Sequence, residues 1–193
     1  LLVTGHIPLS MNLFSAVEAG LNGMEHLRNF EMSIATNSQE LLKERLSILK
    51  NPDSLSGAEL RSSLHAKQRM DAIQMIDSTL LSQAAELLAQ NSVWQTPTLA
   101  LYNNFATREF LQENQMAELK KLPMELAEQW RIAMEPMRNI AIDPNADIAV
   151  YSQWMKEMVE YLHTNNVPFM AGTDTPIGYL IPGQSLHKEL ELL

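Results

Sequence analysis

The chain of 193 residues contains no cysteine, and this absence excludes disulfide frameworks and thiolate metal sites. A cysteine-free protein is compatible with any redox compartment, so the sequence leaves localisation open. A metal site in this chain would have to use histidine and carboxylate ligands. The five histidines include no H-x-H pair, which limits the kind of metal site further.

Basic clusters and long apolar runs are also missing. Acidic residues outnumber basic ones 23 to 14, and the formal net charge is -9. This composition argues against nucleic acid or an anionic membrane as a partner, because phosphate binding needs clustered Lys and Arg. No apolar stretch approaches the roughly 20 residues that span a bilayer, and no signal peptide is recognisable. We therefore expect no nucleic-acid partner and no membrane partner.

The sequence begins and stops within patterns typical of folded elements. The sequence begins with "LLVTGHIP", which has no initiator Met and already lies within an apolar run, and it stops at "SLHKELELL", within a helical pattern. Native chains usually begin and end in polar surface segments. We expect this chain to be a piece of a longer protein.

Strand and helix patterns alternate along the chain. The predicted strands are "LLVTG", "LNGMEHL", "VWQTPTLAL" and "NVPFMAGTD". The predicted helices are "LFSAVEAG" ending at Gly20, "NSQELLKERLSILK" stopped by Asn51-Pro52, "SGAELRSSLHAKQRMDAIQMI" opened by a Ser56–Glu59 capping box, "STLLSQAAELLAQN", and segments at about 107–122, 124–139 and 146–164. This alternation predicts a parallel sheet, since each return to parallel pairing needs a crossover.

Three polar residues follow predicted strands, namely His6, His26 and Asp174. The carboxyl ends of parallel strands lie at one edge of a sheet, so these side chains are expected to converge. Each residue also has an ordinary structural explanation. Either histidine could be a hydrogen-bonded structural residue, and Asp174 could accept backbone bonds in the turn "TDTP". Together, two imidazoles and a carboxylate form a set suited to Zn²⁺ or a similar ion.

The remaining three histidines are weaker candidates for a functional role. His65 lies in a helical pattern and is expected to be a surface or partly buried helix residue. His163 precedes a helix end, where an imidazole meets the negative end of the helix dipole. His187 follows the last predicted strand closely enough to touch a substrate, but it could equally be an ordinary residue of a first helical turn.

The order of these motifs resembles the metal-dependent amidohydrolase superfamily, in particular its imidazolonepropionase-like and prolidase-like members. The resemblance rests on "VTGHIPLSMNLFSAVEAGLNGMEHL", "TPTLALY", "PFMAGTDTP" and "SLHKELELL". In that family the fifth and sixth strands end in metal-ligand histidines and the eighth in an Asp. The resemblance thus implies His6, His26 and Asp174 as ligands of one or two divalent ions, most readily zinc.

The chain departs from the family in lacking an H-x-H pair and a strand-borne Lys, which come from the first and fourth strands. The resemblance therefore implies an α/β, overall helix-rich fold: the C-terminal half, strands 5 to 8, of a TIM-like (β/α)8 barrel with long helical insertions. The predicted organisation is one partial barrel domain over residues 1-193, with a helical insertion at about 31-90 and a helical segment at about 107-165.

The resemblance also implies a chemistry for the parent enzyme, which would cleave an amide, cyclic-amide or dipeptide-like C–N bond with a metal-activated water. Asp174 would bind metal and serve as general base, and in a site with a single metal ion His26 could act on the substrate carbonyl instead of binding metal. Thr173 and Thr175 would orient the carboxylate. The implied partners are a small-molecule amide or peptide-like substrate and the missing N-terminal half of the barrel.

Half of a closed barrel leaves strand edges and apolar surface unpaired, so we expect the chain by itself to be inactive and to form an oligomer. A second hypothesis is a noncatalytic helical interaction module derived from a barrel. An H-x-H pair and a strand-borne Lys in the upstream sequence would distinguish the enzyme from the module.

Overall fold

The computed structural model describes residues 1–51 and 55–193 and shows a helix-rich α/β protein with a small parallel sheet. The chain forms two compact units. The first unit consists of Leu1–Pro97 and Met158–Met170, and the second consists of Thr98–Glu157 and Ala171–Leu193.

The first unit contains the sheet and the helices that connect its strands. Its elements are β1 (Thr4–Gly5), α1 (Leu13–Glu18), β2 (Gly23–Glu25), α2 (Phe30–Ser33), α3 (Ser38–Lys50), α4 (Gly57–Gln74), α5 (Ser78–Gln90) and β3 (Trp94–Thr96). The predicted strand-helix-strand beginning is confirmed, and helices α2 to α5 lie between β2 and β3.

The three strands are parallel and lie in the order β1-β2-β3. Thr4 pairs with Gly23, and Gly23 pairs with Trp94. Gly23 is required for this close approach of β1 to β2, because a Cβ at that position would lie 2.8 Å from the Thr4 Cγ2 atom. Met24, in the centre of β2, is fully buried. The carboxyl ends of the strands therefore lie side by side, as the alternating pattern predicted.

The fourth predicted strand, "NVPFMAGTD", is wrong as an extended strand. It makes one parallel bridge, in which Phe169 pairs with Gln95. The Gln95 N–H donates to the Pro168 carbonyl at 2.9 Å, and the Met170 N–H donates to the Gln95 carbonyl at 2.8 Å. Pro168 has no N–H of its own, so the ladder cannot extend through it on both sides. The segment still occupies the next position beside β3.

Helix α4 begins, and helix α3 ends, where the local sequence signals place these boundaries. The capping box of α4 is confirmed: the Glu59 N–H donates to Ser56 Oγ, and the Ser56 N–H donates to a Glu59 carboxylate oxygen. Helix α3 ends at Lys50, with Asn51 as its C-terminal cap. Pro52, the second half of the predicted stop signal, lies outside the described residues.

The second unit is built from helices. Its elements are α6 (Leu99–Thr107), α7 (Glu113–Glu118), α8 (Met124–Met134), the first part of α9 (Asp147–Thr164), α10 (Gln184–Leu192) and short 3₁₀ turns at Glu109–Leu111, Leu119–Lys121, Glu135–Met137 and Ile177–Tyr179. Its core contains Phe110, Leu119, Trp130, Met134 and Ile181. The three predicted helical segments are thus present, but the first is broken by 3₁₀ turns.

The prediction that "VWQTPTLAL" is a strand throughout is wrong beyond Thr96. Pro97 cannot donate to the ladder, and Thr98 adopts a left-handed conformation with φ 54°. Helix α6 then begins at Leu99 with no side-chain cap from Thr98. Glu189, a fully buried residue of α10, replaces that cap, because its Oε2 atom accepts the Ala100 N–H at 2.7 Å.

Burial raises the pKa of Glu189 from 4.5 to about 7, although backbone N–H groups of Ala100, Leu99 and Thr98 favour its charged form. The contact that fastens α10 to the start of α6 is therefore sensitive to pH.

Among residues 1–51 and 55–193, no helix combines the length and the hydrophobicity needed to cross a membrane.

We expect the pH dependence of stability to report on Glu189. Between pH 4.5 and about 7 the folded carboxyl retains a proton that the unfolded chain releases. The free energy of unfolding should therefore fall as pH rises through this window, by up to about 3 kcal/mol from this group. Glu189→Gln keeps an acceptor for the Ala100 N–H but cannot titrate. Urea unfolding at pH 5 and pH 8 should show a smaller difference in this variant.

Glu191→Gln is the matched control, because Glu191 lies on the same helix with an exposed side chain. Glu191→Gln should leave the pH dependence of the free energy of unfolding close to that of the unmodified chain. If Glu189→Gln did not reduce this pH dependence, Glu189 would not be its source.

Candidate active site

His6 and His26 lie next to each other at the carboxyl edge of the sheet. His6 follows β1 directly and His26 follows β2 directly. Because Gly5 pairs with Met24, the parallel register places both side chains at the same edge. Their ring centroids are 5.1 Å apart with an interplanar angle of 47°. The predicted convergence of the two imidazoles is thus seen in the structure.

The backbone of His26 is held in an uncommon conformation. Its N–H donates to the Thr96 carbonyl at 2.7 Å, which extends the β2–β3 ladder by one residue. At the same residue φ is 62°, in the left-handed region, and Leu27 follows with φ 47°. Such conformations cost about 1–3 kcal/mol and concentrate at functional sites. The conformation turns the chain sharply at the strand end and leaves the His26 residue buried.

The spacing of the two rings fits ligation of one zinc ion. Two imidazoles bound at a tetrahedral angle, with Zn–N distances of about 2.05 Å, have ring centroids about 5 Å apart. The observed separation of 5.1 Å matches this value. Imidazole is also a ligand type that zinc favours. His6 and His26 are therefore suited to act as two ligands of one zinc site.

Asp174 belongs to the second unit, whereas His6 and His26 belong to the first. It has φ 55°, and its carbonyl accepts the Ile177 N–H at 3.1 Å, so the backbone forms a tight turn at "TDTP". The side chain is exposed. The bond that closes this turn comes from the main chain of Asp174, so the role of its carboxylate, as a turn acceptor or as a metal ligand, stays a prediction.

Thr173 and Thr175 flank Asp174 and are half-buried, and a cis peptide bond joins Thr175 to Pro176. His187 lies in α10 with an exposed side chain. Their predicted roles in orienting the carboxylate and in touching substrate stay predictions.

Within the part of the chain that the structure describes, no group of three or more His, Asp or Glu side chains has the arrangement of a metal site. The ligand set of His6, His26 and Asp174 therefore stays a prediction, of which the structure shows the first two members side by side.

A buried polar network behind the histidines was not predicted from the sequence, and Asn29 is at its centre. Its Nδ2 atom donates to the Ile7 carbonyl at 2.7 Å, which ties the segment after β2 to the residue that follows His6. Its Oδ1 atom accepts a bond from Arg45 Nη1 at 2.9 Å and lies 3.2 Å from His65 Nε2. Asn29 thus connects the two strand ends to helices α3 and α4.

His65 takes part in this network as a neutral ring. Its Nδ1 atom lies 3.2 Å from Arg69 Nη2, which can only donate, so Nδ1 accepts and Nε2 carries the proton given to Asn29. Burial, followed by the positive charges of Arg69, Arg28 and other arginines, lowers the pKa of His65 to about 3. The prediction that His65 is a partly buried helix residue is confirmed, and its hydrogen bonds give it a definite structural role.

Arg45 is almost fully buried, at 2% exposure, and the helices supply its partners. Its Nε atom donates to Gln68 Oε1 at 3.0 Å. Gln68 in turn donates to the Leu41 carbonyl and to Glu44. Burial lowers the pKa of Arg45, whereas the charge of Glu31 raises it.

A sequence signal for this network does exist. Leu41 and Arg45 are four residues apart on the buried face of α3. On α4, Leu60, Leu64, Gln68 and Ala72 form a similar buried stripe. A charged or amide residue within an apolar stripe indicates a buried polar contact.

The fold is similar to part of a solved amidohydrolase. The structure of "AH, Bottromycin amidohydrolase" matches with a TM-score of 0.57 and 19% sequence identity. The match covers 100% of this chain and 36% of that protein, so this chain spans about a third of its length. At this identity the likeness shows the fold alone. No family model matches the chain, and no curated protein matches it.

We expect Asn29→Ala to destabilise the first unit by about 2–4 kcal/mol, because it leaves the Ile7 carbonyl and the buried Arg45 and His65 without a shared partner. Urea unfolding at pH 7 would measure the loss. Asn165→Ala is the control, since Asn165 is exposed and bonds only locally to the Tyr161 carbonyl. If both substitutions lowered the free energy of unfolding by the same small amount, the Asn29 network would contribute little to stability.

Proposed function

We propose that this chain is part of a metal-dependent hydrolase that cleaves an amide, cyclic-amide or dipeptide-like C–N bond with an activated water. The observation that carries the proposal is the 5.1 Å separation of the His6 and His26 rings at adjacent parallel strand ends. The fold likeness to an amidohydrolase supports the same class of reaction.

His6 and His26 would hold a divalent ion, most readily zinc, through neutral imidazole nitrogens. When bound, such an ion lowers the pKa of a coordinated water to about 7 and polarises the scissile carbonyl. Asp174 would complete the ligand set, take a proton from the attacking water and return it to the leaving amine. Thr173 and Thr175 would orient that carboxylate, and His187 would touch the substrate.

The rest of the site would come from outside this chain. Within the described residues β1 pairs only with β2, so its other edge offers unpaired backbone groups. Leu1, Leu2 and Val3, which precede β1 in the chain, are exposed. We infer that the N-terminal half of a barrel packs there and supplies the H-x-H pair and the Lys. The chain alone would then be inactive and would associate with further copies.

The proposal is tested on the longer protein that contains this chain. His6→Ala and His26→Ala should each lower its zinc content, measured by elemental analysis after dialysis. Asp174→Asn should lower amide hydrolysis at least a hundredfold while the circular dichroism spectrum stays unchanged. Hydrolysis can be followed by amine release from a panel of dipeptides and N-acyl amino acids.

His163→Ala is the matched control, because His163 is an exposed histidine of α9 beside Phe169 and lies outside the strand ends. It should retain metal and activity. The proposal would be refuted if the longer protein were fully active without metal. It would also be refuted if neither His6→Ala nor His26→Ala changed the metal content. An upstream sequence without an H-x-H pair would instead favour the noncatalytic helical module.

A further inference from the structure

A groove in the second unit combines apolar walls with a lysine. It lies between α6, the loop that precedes α9 and the first part of α9, and its volume is about 470 Å³. Ala106 of α6, Ile142 and Pro144 of the loop, and Ala149 of α9 line it together with Lys156. Small-molecule sites have volumes of about 300–1,000 Å³. The groove therefore has room for a small ligand.

The loop wall of the groove is fastened to the end of α6. Arg108, which follows α6, donates through Nη2 to the Ala141 carbonyl at 3.2 Å. Its Nη1 atom donates to the carbonyls of Met137 and Ile140. These bonds hold the backbone directly before Ile142, whose side chain is 54% exposed. A wall that is already in place favours binding, because little further ordering is needed when an apolar ligand covers it.

Lys156 brings a positive charge to this groove. Its ammonium group donates to Asn103 Oδ1 at 2.7 Å, and an ammonium group has three donors. Asn103 is buried and also donates through Nδ2 to Glu109, whose own ion pair is with Lys188 at 3.2 Å. Among the described residues no carboxylate forms an ion pair with Lys156. In a chain with a net charge of -9, this ammonium group can therefore take an anion from outside the chain.

Other polar side chains of the groove bond within the protein. Thr107 Oγ1 donates to the Asn103 carbonyl at 2.8 Å, and Gln153 Nε2 donates to Glu157 Oε1 at 3.0 Å. A peptide in the groove would need partners for its own N–H and C=O groups. The apolar walls and the ammonium group of Lys156 instead match a ligand with one anionic group at the end of an alkyl chain.

We propose that this groove binds an aliphatic monocarboxylate of medium chain length. The carboxylate accepts charge-assisted hydrogen bonds from the Lys156 ammonium group. The alkyl chain lies against Ala106, Ile142 and Pro144 and removes their apolar surface from water. The site belongs to the second unit and does not depend on the proposed amide hydrolysis.

Calorimetric titration of the longer protein that contains this chain tests the site. EDTA in the buffer removes any metal that could itself bind a carboxylate. Octanoate should bind at least tenfold more tightly than octanamide, which has the same alkyl chain without the charge. It should also bind at least tenfold more tightly than butanoate, because each buried CH₂ group strengthens binding about fourfold.

Two substitutions test the two parts of the groove. Lys156→Met keeps an unbranched side chain but removes the charge, so the affinity for octanoate should fall at least tenfold while that for octanamide stays unchanged. Ile142→Ser replaces an exposed apolar side chain and should weaken octanoate binding about fourfold. If Lys156→Met fails to fold, Ile142→Ser and the comparison of octanoate with octanamide decide.

Lys120→Met is the matched control, because Lys120 is an exposed lysine that lines a different groove of the second unit, beside Met116 and Met124. It should leave octanoate binding unchanged. The proposal would be overturned if octanoate and octanamide bound equally, or if Lys120→Met weakened octanoate binding as much as Lys156→Met. Tighter binding of the peptide N-acetyl-Leu-Leu than of octanoate would assign the groove to a peptide and would overturn the proposal as well.

Discussion

The side-chain amide of Asn29 is the contact on which the arrangement of the first unit depends. One amide group joins the Ile7 carbonyl after β1, the guanidinium of Arg45 on α3 and the ring of His65 on α4. Asn29 itself has φ 67°, a conformation that Asn tolerates better than most residues. A buried network of this kind is stable only when its members satisfy one another. The insertion helices and the strand ends are therefore held as one structure.

The parallel sheet determines where chemistry can occur. Parallel strands bring their carboxyl ends to one edge, and His6 and His26 are the polar residues that follow β1 and β2 there. The short strands and the left-handed turn at His26 place the two rings at a spacing that suits zinc. The fold itself is similar to about a third of a solved amidohydrolase.

The features that the sequence predicted correctly are those governed by local chemistry. The Ser56–Glu59 capping box, the early strand-helix-strand segment and the convergence of two histidines all follow from neighbouring residues and strand polarity. The prediction of a strand failed after Pro97, where the Ala100 N–H of α6 donates to Glu189, 89 residues further along the chain, and this bond favours a helix over a strand. The Asn29 network was missed for the same reason, because its partners are 16 and 36 residues distant. Such long-range polar contacts leave only a weak trace in a single sequence.

The central claim is that the two strand-end histidines bind one metal ion together. Zinc-edge X-ray absorption of the longer protein, loaded with one equivalent of zinc, tests it most directly. The account predicts at least two imidazole ligands at about 2.0–2.1 Å, with the imidazole scattering reduced by one ligand in His26→Ala. A zinc environment that is identical in the unmodified protein and in His26→Ala would contradict it.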